Sequence, residues 1–476
     1  MQKKTFIPEK SGNKLFGSNK FNTSLFGTDG IRAQMGQGPL TPESIQKLGQ
    51  AIGIWAQEKY GANMRVLFGH DTRTSCDTIK EHLAAGLLPY GAQIYDGHVI
   101  PTPAVVKLVT GEPKKFNFGV IITASHNPYQ DNGIKIVDAI DGKLSAVDED
   151  RITEIFYTPK KIANKPGKCI KYTQAKEQYA KIIAGYFKHN LLENLKIVLD
   201  CANGAAYQIA PKIFKKLGAQ VITVANTPNG KNINNNCGSL HPQGLQKVVL
   251  EQKADIGFAF DGDGDRIVAI NKNGEIKDGD DILCLLSDNP DYKTTAGTAT
   301  AGTAISGTTI IGTTIVGTTM TNYGLEAHLR KKKINFVRTK VGDKFVAKEM
   351  KKKNVLLGGE PSGHILLHNY MCCSDGILTA LKLVETIKAT NNWKLESFKK
   401  TPQEIINVPV KEKRDLQEPV IKKIILGHKN KIKNGRIIVR YSGTQNLLRV
   451  MVEEQDGVLA KTICKSLAQE LRNILN

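Results

Sequence analysis

Apolar and polar positions along the chain form blocks in an order typical of strands that alternate with helices. A short apolar run, RVLFG at 65–69, precedes a helical pattern from about Cys76 to Tyr90 and a second run, QIYDG at 93–97. The same succession returns twice, in KIVLD at 196–200 with QVITV at 220–224, and in KINFV at 333–337 with NVLLGG at 354–359. Repeated strand–helix–strand units predict three tandem α/β domains with mixed sheets.

The C-terminal region has a different pattern. Strand-like RIIVR at 436–440 and LLRVMVE at 447–453 flank a Ser-Gly-Thr loop, and a helical pattern follows over 459–475. We therefore expect a smaller α+β domain there. The predicted division is a basic N-terminal extension at 1–22, α/β domains at 23–170, 171–274 and 275–395, and the α+β domain at 396–476.

Composition narrows the class of protein. Its 476 residues are 40% hydrophobic and 23% charged, with no apolar run near the ~20 residues that a membrane-spanning helix needs. Eight scattered cysteines without zinc-like spacing predict reduced thiols in the cytoplasm. The net charge of +21 raises the possibility of a polyanion-binding protein, but the lysines occur in short dispersed groups, so nucleic acid is not expected as a partner.

An internal repeat lies between Thr295 and Thr319, where glycines recur every five residues in units such as IGTTI and VGTTM. It is too short and too rich in glycine and threonine for a solenoid. We expect a strand-entry motif that has expanded into a surface loop, and we assign it no chemistry.

The sequence DGDGDR at 261–266 follows an apolar run, ADIGFAF. Carboxylates at alternate positions face one side of an extended chain, and the intervening glycines allow the chain to curve around a cation. Carboxylate oxygens favour Mg²⁺ or Ca²⁺. An EF-hand is excluded because Arg266 and Lys272 occupy positions where that loop needs Gly and Glu. A metal site formed by Asp261, Asp263 and Asp265 is predicted.

Three other loops carry candidate chemistry. The first, TASHNP with NGIK at 123–135, displays Ser125 and His126 after an apolar strand, without the GxSxG context of a hydrolase elbow. The second, GGEPSGH at 358–364, carries polar side chains suited to sugar hydroxyls, or is an ordinary hairpin. The third, RYSGTQNLLR at 440–449, combines arginines, hydroxyls and a glycine in a pattern suited to one phosphate.

Two glycine turns, FGTDGIR at 26–32 and GHDTR at 69–73, add Arg32 and Arg73. Taken in order, FGTDGIR, TASHNP, DGDGDR, GGEPSGH and RYSGT resemble the motifs of the α-D-phosphohexomutase superfamily across nearly the whole chain. Further segments, DCANGA at 200–205, PNGKNIN at 228–234 and RVMVE at 449–453, are most similar to the phosphoglucosamine mutase branch. The resemblance implies four domains around a central cleft and an intramolecular phosphotransferase activity on phosphosugars.

The resemblance also implies a role for each matching residue. Ser125 would be phosphorylated and would bind Mg²⁺ with the three aspartates. The catalytic centre would include Arg32, His126, Lys135 and Arg266, with Lys135 a candidate for acid–base assistance. Substrate would be bound by Glu360, Ser362, His364, Arg440, Ser442, Gly443, Thr444 and Arg449.

Some questions stay open at the level of sequence. An activating kinase or a bisphosphate donor would have to phosphorylate Ser125 first, and the sequence does not distinguish a monomer from a dimer. The phosphate loop usually reads SGTEP, whereas Gln445 and Asn446 stand here, which removes one charge and one rigid φ. Alternatives are a phosphomannomutase or phosphoglucomutase, or a basic polyanion-binding protein that keeps the fold without the reaction.

Overall fold

The computed structural model describes residues 25–27, 29–61, 63–140, 142–158, 165–292, 314–442 and 446–475. These residues form four sheets that follow one another along the chain, with six, five, four and three strands. The predicted 1–22 extension and most of the glycine–threonine repeat lie outside the described residues. The three α/β domains and the smaller α+β domain confirm the predicted fold class. The exact domain boundaries stay a proposal.

The first sheet is mixed, and helices cover both of its faces. Its elements are β1 (Ile31–Gln34), α1 (Pro42–Tyr60), β2 (Arg65–His70), α2 (Cys76–Leu87), β3 (Gln93–Val99), α3 (Thr102–Gly111), β4 (Phe118–Ile122), β5 (Asp131–Asp138), α4 (Ala146–Tyr157) and β6 (Lys168–Lys171), with a 3₁₀ turn at Gly38–Leu40. The strand order is β1-β5-β4-β2-β3-β6. Strand β4 is buried along its whole length, so the loop that follows its carboxyl end begins at a fixed position.

The second sheet repeats this plan on a smaller scale. Its elements are α5 (Ala175–Gly185), β7 (Lys196–Asp200), α6 (Ile209–Lys216), β8 (Gln220–Val224), α7 (Gln243–Glu251), β9 (Ile256–Phe260), β10 (Ile267–Asn271) and β11 (Ile276–Lys277). The strand order is β11-β10-β9-β7-β8. Strands β9 and β10 form an antiparallel hairpin, and residues 261–266 make its tight connection.

The third sheet corrects one expectation. Its elements are α8 (Gly279–Leu286), a 3₁₀ turn at Pro290–Tyr292, β12 (Thr314–Thr318), α9 (Tyr323–Lys331), β13 (Asn335–Thr339), α10 (Asp343–Lys353), β14 (Leu357–Gly359), β15 (Ile365–Leu367) and α11 (Gly376–Thr390). Strand β12 lies between β13 and β14 and pairs with both in parallel. The prediction of a surface loop is therefore wrong for the end of the repeat, because β-branched Ile315 and Val316 make it a buried central strand.

The C-terminal domain is a three-stranded antiparallel sheet with two helices. Its elements are β16 (Gln403–Pro409), α12 (Pro419–Lys429), β17 (Gly435–Tyr441), β18 (Leu447–Glu454) and α13 (Gly457–Leu475). The strand order is β16-β18-β17, and this domain has a hydrophobic core of its own. It meets the third domain through Glu453, which accepts a hydrogen bond from the Tyr323 backbone N–H at 3.3 Å.

A continuous apolar core links the first three domains. Residues from α3, α5, α6, α8 and α11 contribute to one cluster of buried side chains. This shared core fixes the relative positions of the loops at the carboxyl ends of β4 and β9 and between β14 and β15. Among the described residues, no helix is both long and apolar enough to cross a membrane.

The fold contains a buried carboxyl group that makes stability depend on pH. Asp280 in α8 is 2% exposed, and its Oδ2 accepts a hydrogen bond from the Asn322 N–H at 2.8 Å. Burial raises its pKa from 3.8 to about 7. Between these two pH values the folded protein holds a proton that the unfolded chain releases, so this contribution to stability is present below pH ~4 and is lost as pH rises to ~7.

We predict that Asp280→Asn flattens this dependence. In chemical denaturation, the free energy of unfolding of the variant relative to that of the wild type should increase from pH 5 to pH 8, by on the order of 1–4 kcal/mol. Asp288→Asn, at a part-exposed carboxylate that pairs with Lys332, is the control. A constant difference between Asp280→Asn and wild type across this range would contradict the prediction.

Candidate active site

Ser125 lies in the loop after β4, where it faces the loop after β9. It adopts a left-handed conformation with φ +53°, which residues with a β-carbon adopt rarely. Its Oγ donates to Asp261 Oδ2 at 2.7 Å and lies 3.2 Å from His126 Nδ1. Ser125 is more enclosed than the sequence predicts, at 1% exposure, because the second domain covers its loop.

The three aspartates of DGDGDR converge as their spacing predicts. Asp261, Asp263 and Asp265 are all buried, and one ligand atom from each lies within 4.8 Å of the others. Gly264, with φ +76°, makes the turn that curves this loop. Asp261 Oδ1 also accepts hydrogen bonds from the backbone N–H groups of Gly264 and Arg266, at 3.1 and 3.2 Å.

Electrostatics identify this cluster as a site that fits a cation. Burial and the neighbouring Asp263 raise the pKa of Asp261 to about 7, and the same two causes raise the pKa of Asp265 well above its usual value. Asp263 Oδ1 and Asp265 Oδ1 are buried without a hydrogen-bond partner among the described residues. Three buried carboxylates, two of them with an unused oxygen, are the donor set that a hard divalent cation takes.

Lys135 supplies positive charge beside the aspartates. Its ammonium lies 3.0 Å from Asp263, 3.5 Å from Asp265 and 2.8 Å from Asp29. Burial alone would lower the pKa of Lys135, but these carboxylates hold it well above its usual value. Thr102 donates to Asp263 at 2.7 Å and so fixes that carboxylate from the first domain.

The loop between β14 and β15 meets the same centre. His364 Nε2 accepts a hydrogen bond from Arg266 Nε at 2.9 Å, and its Nδ1 lies 3.4 Å from Asp265 Oδ1. Burial and the Arg266 guanidinium lower the pKa of His364 to about 3, so the ring is neutral. Glu360 is buried and accepts from the Gly342 N–H at 2.8 Å, whereas Ser362 is exposed.

Two further predicted residues are His126, which borders Ser125, and Arg32, whose charge acts on the His126 ring. His126 is half-buried, and burial together with Arg266 and Arg32 lowers its pKa to about 3. Arg32 pairs with Asp29 at 2.6 Å, while its Nε is buried without a hydrogen-bond partner among the described residues. A neutral imidazole therefore lies beside the serine, and an arginine with an unused N–H is close enough to affect that ring.

The predicted phosphate loop lies at the end of β17 in the C-terminal domain. Arg440 and Arg449 are directly opposite each other in the β17–β18 ladder, and Arg449 Nε is buried without a partner among the described residues. Ser442 is buried, and its carbonyl accepts from Lys413 at 2.9 Å. Gly443 and Thr444 lie outside the described residues. Residues directly opposite each other in an antiparallel ladder are side-chain neighbours, so this pair places two arginines next to the predicted phosphate loop.

Arg73 has a place in this site that the sequence indicates only weakly. Its side chain is fully buried and pairs with Asp71 at 2.9 Å. Asp71 in turn accepts from Thr123 Oγ1 at 2.6 Å. The Arg73 guanidinium also donates to backbone oxygens of the serine loop: those of Ser125 (3.0 Å), Asn127 (2.9 Å), Asp131 (3.0 Å) and Pro128. The planar fork of arginine holds this loop in its left-handed conformation.

We predict that Arg73→Lys lowers turnover by about 10²-fold while leaving substrate affinity nearly unchanged. Lysine keeps the charge but cannot donate in several fixed directions, so the serine loop loses its support. Steady-state kinetics would show the loss in kcat rather than in KM. Lys80→Arg, at a part-buried lysine that pairs with Asp96 outside this loop, is the matched control. A change in KM with kcat unchanged would contradict the role of Arg73 in positioning the serine loop.

Comparison with known proteins agrees with this architecture. Four phosphoglucomutase/phosphomannomutase domain models match in order: α/β/α domains I, II and III at residues 23–163, 173–274 and 278–408, and the C-terminal domain at 405–470. Fold and site thus define a hexose-phosphate mutase scaffold. The chain belongs to the phosphoglucomutase/phosphomannomutase family.

Individual relatives carry more specific names than the domain models do. A phosphoglucosamine mutase of Psychrobacter cryohalolentis is 37% identical over 95% of this chain and 100% of its own length. Among solved structures, a phosphoglucomutase/phosphomannomutase family protein from Burkholderia thailandensis aligns with a TM-score of 0.76 at 22% identity, over 94% of this chain and 97% of its own. An Aspergillus fumigatus N-acetylphosphoglucosamine mutase, solved with GlcNAc-6P and magnesium, aligns with a TM-score of 0.65 at 17% identity, over 95% and 96%.

Proposed function

We propose that the protein is a phosphoglucosamine mutase, which interconverts glucosamine 6-phosphate and glucosamine 1-phosphate. The latter leads to UDP-N-acetylglucosamine and cell-wall synthesis. Relatives of that name align over nearly the whole chain. The observation that carries the proposed chemistry is the contact of Ser125 Oγ with Asp261 Oδ2 at 2.7 Å, which places a nucleophile directly beside a carboxylate cluster.

In this proposal, Ser125 carries a phosphoryl group that it transfers to the sugar monophosphate. The resulting bisphosphate turns around, and its other phosphoryl group returns to Ser125. Phosphoryl transfer spreads negative charge over the equatorial oxygens, so positioning and nearby cations matter more than a strong base. A kinase or a bisphosphate donor would supply the first phosphoryl group.

The residues around Ser125 suit these requirements. Lys135, held as a cation by three carboxylates, and Arg32, with an unused Nε, can stabilise charge on the transferred group. The hydroxyl proton of Ser125 already points to Asp261 Oδ2, which can accept it, and neutral His126, 3.2 Å from Ser125 Oγ, can donate its Nδ1–H to that oxygen. The high pKa of Lys135 keeps it protonated in this state, so it can serve directly as an acid, whereas a role as a base requires its carboxylate partners to be neutralised first.

We propose Mg²⁺ as the metal that Asp261, Asp263 and Asp265 bind, together with the phosphate on Ser125. All protein ligands are oxygens, which is typical of Mg²⁺ sites that also involve phosphate. When bound, the ion would stabilise the charge that develops on the transferred phosphoryl group. We further propose a cytoplasmic location, which the eight free cysteines support.

At the far end of the substrate, Arg440 and Arg449 would bind the phosphate that is not reacting. Their opposite positions in the β17–β18 ladder support binding of one anion by both residues, and Ser442 begins the loop that would complete the site. Because both orientations of the bisphosphate place one phosphate here, a single site serves both halves of the cycle.

The proposed function is tested by turnover of four sugar phosphates in the presence of Mg²⁺ and a catalytic amount of bisphosphate. We expect the highest kcat/KM with glucosamine 6-phosphate, and lower values with N-acetylglucosamine, glucose and mannose phosphates. Equal or better kcat/KM with mannose 1-phosphate would refute the assignment to glucosamine and leave a phosphomannomutase.

Glu360 gives a residue-level prediction for this specificity. A carboxylate in the sugar loop favours a substrate with an ammonium group at C2 over one with a hydroxyl group. Glu360→Gln should therefore lower kcat/KM for glucosamine 6-phosphate by about 10–100-fold and change the value for glucose 6-phosphate much less. Glu251→Gln, at an exposed carboxylate of α7, is the control. An equal loss with both sugars would contradict a role for Glu360 in choosing the amino sugar.

A further inference from the structure

A second group of possible metal ligands lies at the ends of β2 and β3, outside the aspartate cluster. His70 ends β2, and Asp96 and His98 lie near the end of the neighbouring parallel strand β3. One ligand atom from each of these three residues lies within 4.8 Å of the other two. Within the described part of the chain, this group and the aspartate triplet are the two clusters of this kind.

His70 has an unused nitrogen in a buried position. The residue is 7% exposed, and its Nδ1 lies 2.7 Å from the carbonyl oxygen of Asp71. A carbonyl only accepts, so Nδ1 carries the proton and Nε2 carries the lone pair. Nε2 is buried and has no hydrogen-bond partner among the described residues. A backbone carbonyl that fixes the tautomer from behind is the arrangement typical of histidines that bind metals.

The other two ligands lie on the solvent side of His70. Asp96 Oδ1 accepts from the His98 backbone N–H at 2.9 Å, and Asp96 Oδ2 lies 3.6 Å from His98 Nδ1. The Lys80 ammonium lies 3.0 Å from the same Oδ2. A cation therefore already occupies one side of this carboxylate, and a metal ion would compete with Lys80 for it.

We propose that His70, Asp96 and His98 form a Zn²⁺ site. Two imidazole nitrogens and one carboxylate suit Zn²⁺ and leave a fourth position for water, whereas Mg²⁺ prefers oxygen ligands. Bonds of about 2.0–2.1 Å would bring the ligand atoms to roughly 3.3 Å from one another. The side chain of His98 is 42% exposed and has room to make this movement.

The cluster lies next to residues that support the serine loop and the aspartate cluster. His70 directly precedes Asp71, which holds Arg73 against the serine loop. Strand β3 leads into α3, where Thr102 donates to Asp263. A bound ion would tie together the ends of the two strands that support the serine loop and the aspartate cluster, so Zn²⁺ should raise the melting temperature of the protein.

The test is a calorimetric titration of the full chain with Zn²⁺ in excess Mg²⁺, which keeps the aspartate cluster loaded. We expect one Zn²⁺ to bind the wild type, His98→Gln and His70→Gln to weaken binding at least ~10-fold, and Lys80→Met to tighten it. Asp261→Asn and the exposed His189→Gln should leave it unchanged.

His98→Gln is the decisive variant because this residue is exposed and its replacement does not disturb the core. Its melting temperature without Zn²⁺ should match that of the wild type, while the increase with Zn²⁺ should be lost. Wild-type Zn²⁺ binding by His98→Gln, or loss of binding in Asp261→Asn, would overturn the proposal, the second by placing Zn²⁺ on the aspartates.

Discussion

Ser125→Ala is expected to abolish mutase turnover, by on the order of 10⁴-fold or more. The proposed cycle has no route around the serine, because its Oγ both donates and receives the phosphoryl group. The fold should tolerate the change, since the loop is held through the Ser125 carbonyl, which accepts from Arg73 at 3.0 Å and from Asn234 at 2.9 Å. The measurement is the initial rate of conversion of glucosamine 6-phosphate with bisphosphate present.

Ser287→Ala is the matched control for this variant. Ser287 is as deeply buried as Ser125, but its Oγ donates to the Cys284 carbonyl at the end of α8, away from the aspartates. Its turnover should stay within about twofold of the wild type. Retention of more than a tenth of wild-type turnover by Ser125→Ala would mean that another group carries the phosphate.

Asp265→Asn is expected to lower turnover without lowering the stability of the metal-free protein. Loss of one carboxylate should lower turnover by about 10²–10³-fold because the metal loses a charged ligand. The metal-free protein should be as stable as the wild type or more stable, by ~1 kcal/mol, since the variant removes a carboxyl group whose ionised form is disfavoured by burial and by Asp263. Asparagine keeps the shape, so packing against Lys135 and His364 changes little.

Thermal unfolding with and without Mg²⁺ checks this prediction. Mg²⁺ should raise the melting temperature of the wild type and have little effect on Asp265→Asn. Asp280→Asn, which removes a buried carboxylate away from the cluster, should keep its response to Mg²⁺. A metal-free Asp265→Asn protein that is much less stable than the wild type would show that Asp265 is structural.

The features that the sequence predicts well are local ones. The spacing of Asp261, Asp263 and Asp265 brings their carboxylates to one side of a tight turn, and no distant contact is needed for this. Strands such as β4 and β9 are recognisable because continuous apolar runs before glycine turns are typical of buried strands. The four-domain fold follows from repetition of this pattern and from the ordered motifs.

The features that the sequence does not reveal depend on tertiary contacts. The glycine turn that contains Arg73 indicates the residue only weakly, and only the fold brings its guanidinium to the backbone of residues 125–131. Thr102 and Asp29 complete the surroundings of Asp263 and Lys135 from separate elements. Strand β12 is hidden by the glycine–threonine repeat, whose composition is typical of a loop although its last unit lies at the centre of a sheet.

The contact between Ser125 and Asp261 depends on both the local motifs and the tertiary contacts. Each residue is recognisable in its own motif, but the 2.7 Å distance between their side-chain oxygens exists only because a shared core holds the first two domains together. Phosphorylation of Ser125 would place phosphate oxygens beside the carboxylates that have unused lone pairs. A phosphate oxygen would thus add a further ligand to the proposed metal site.

The most direct test of this account is the mass of the intact protein purified from cells, followed by mapping of the modified peptide. We predict a fraction with one added phosphate, located on Ser125, which disappears in Ser125→Ala and on incubation with a glucosamine monophosphate. A phosphate mapped to another residue, or an adduct that persists in Ser125→Ala, would contradict the central role of Ser125.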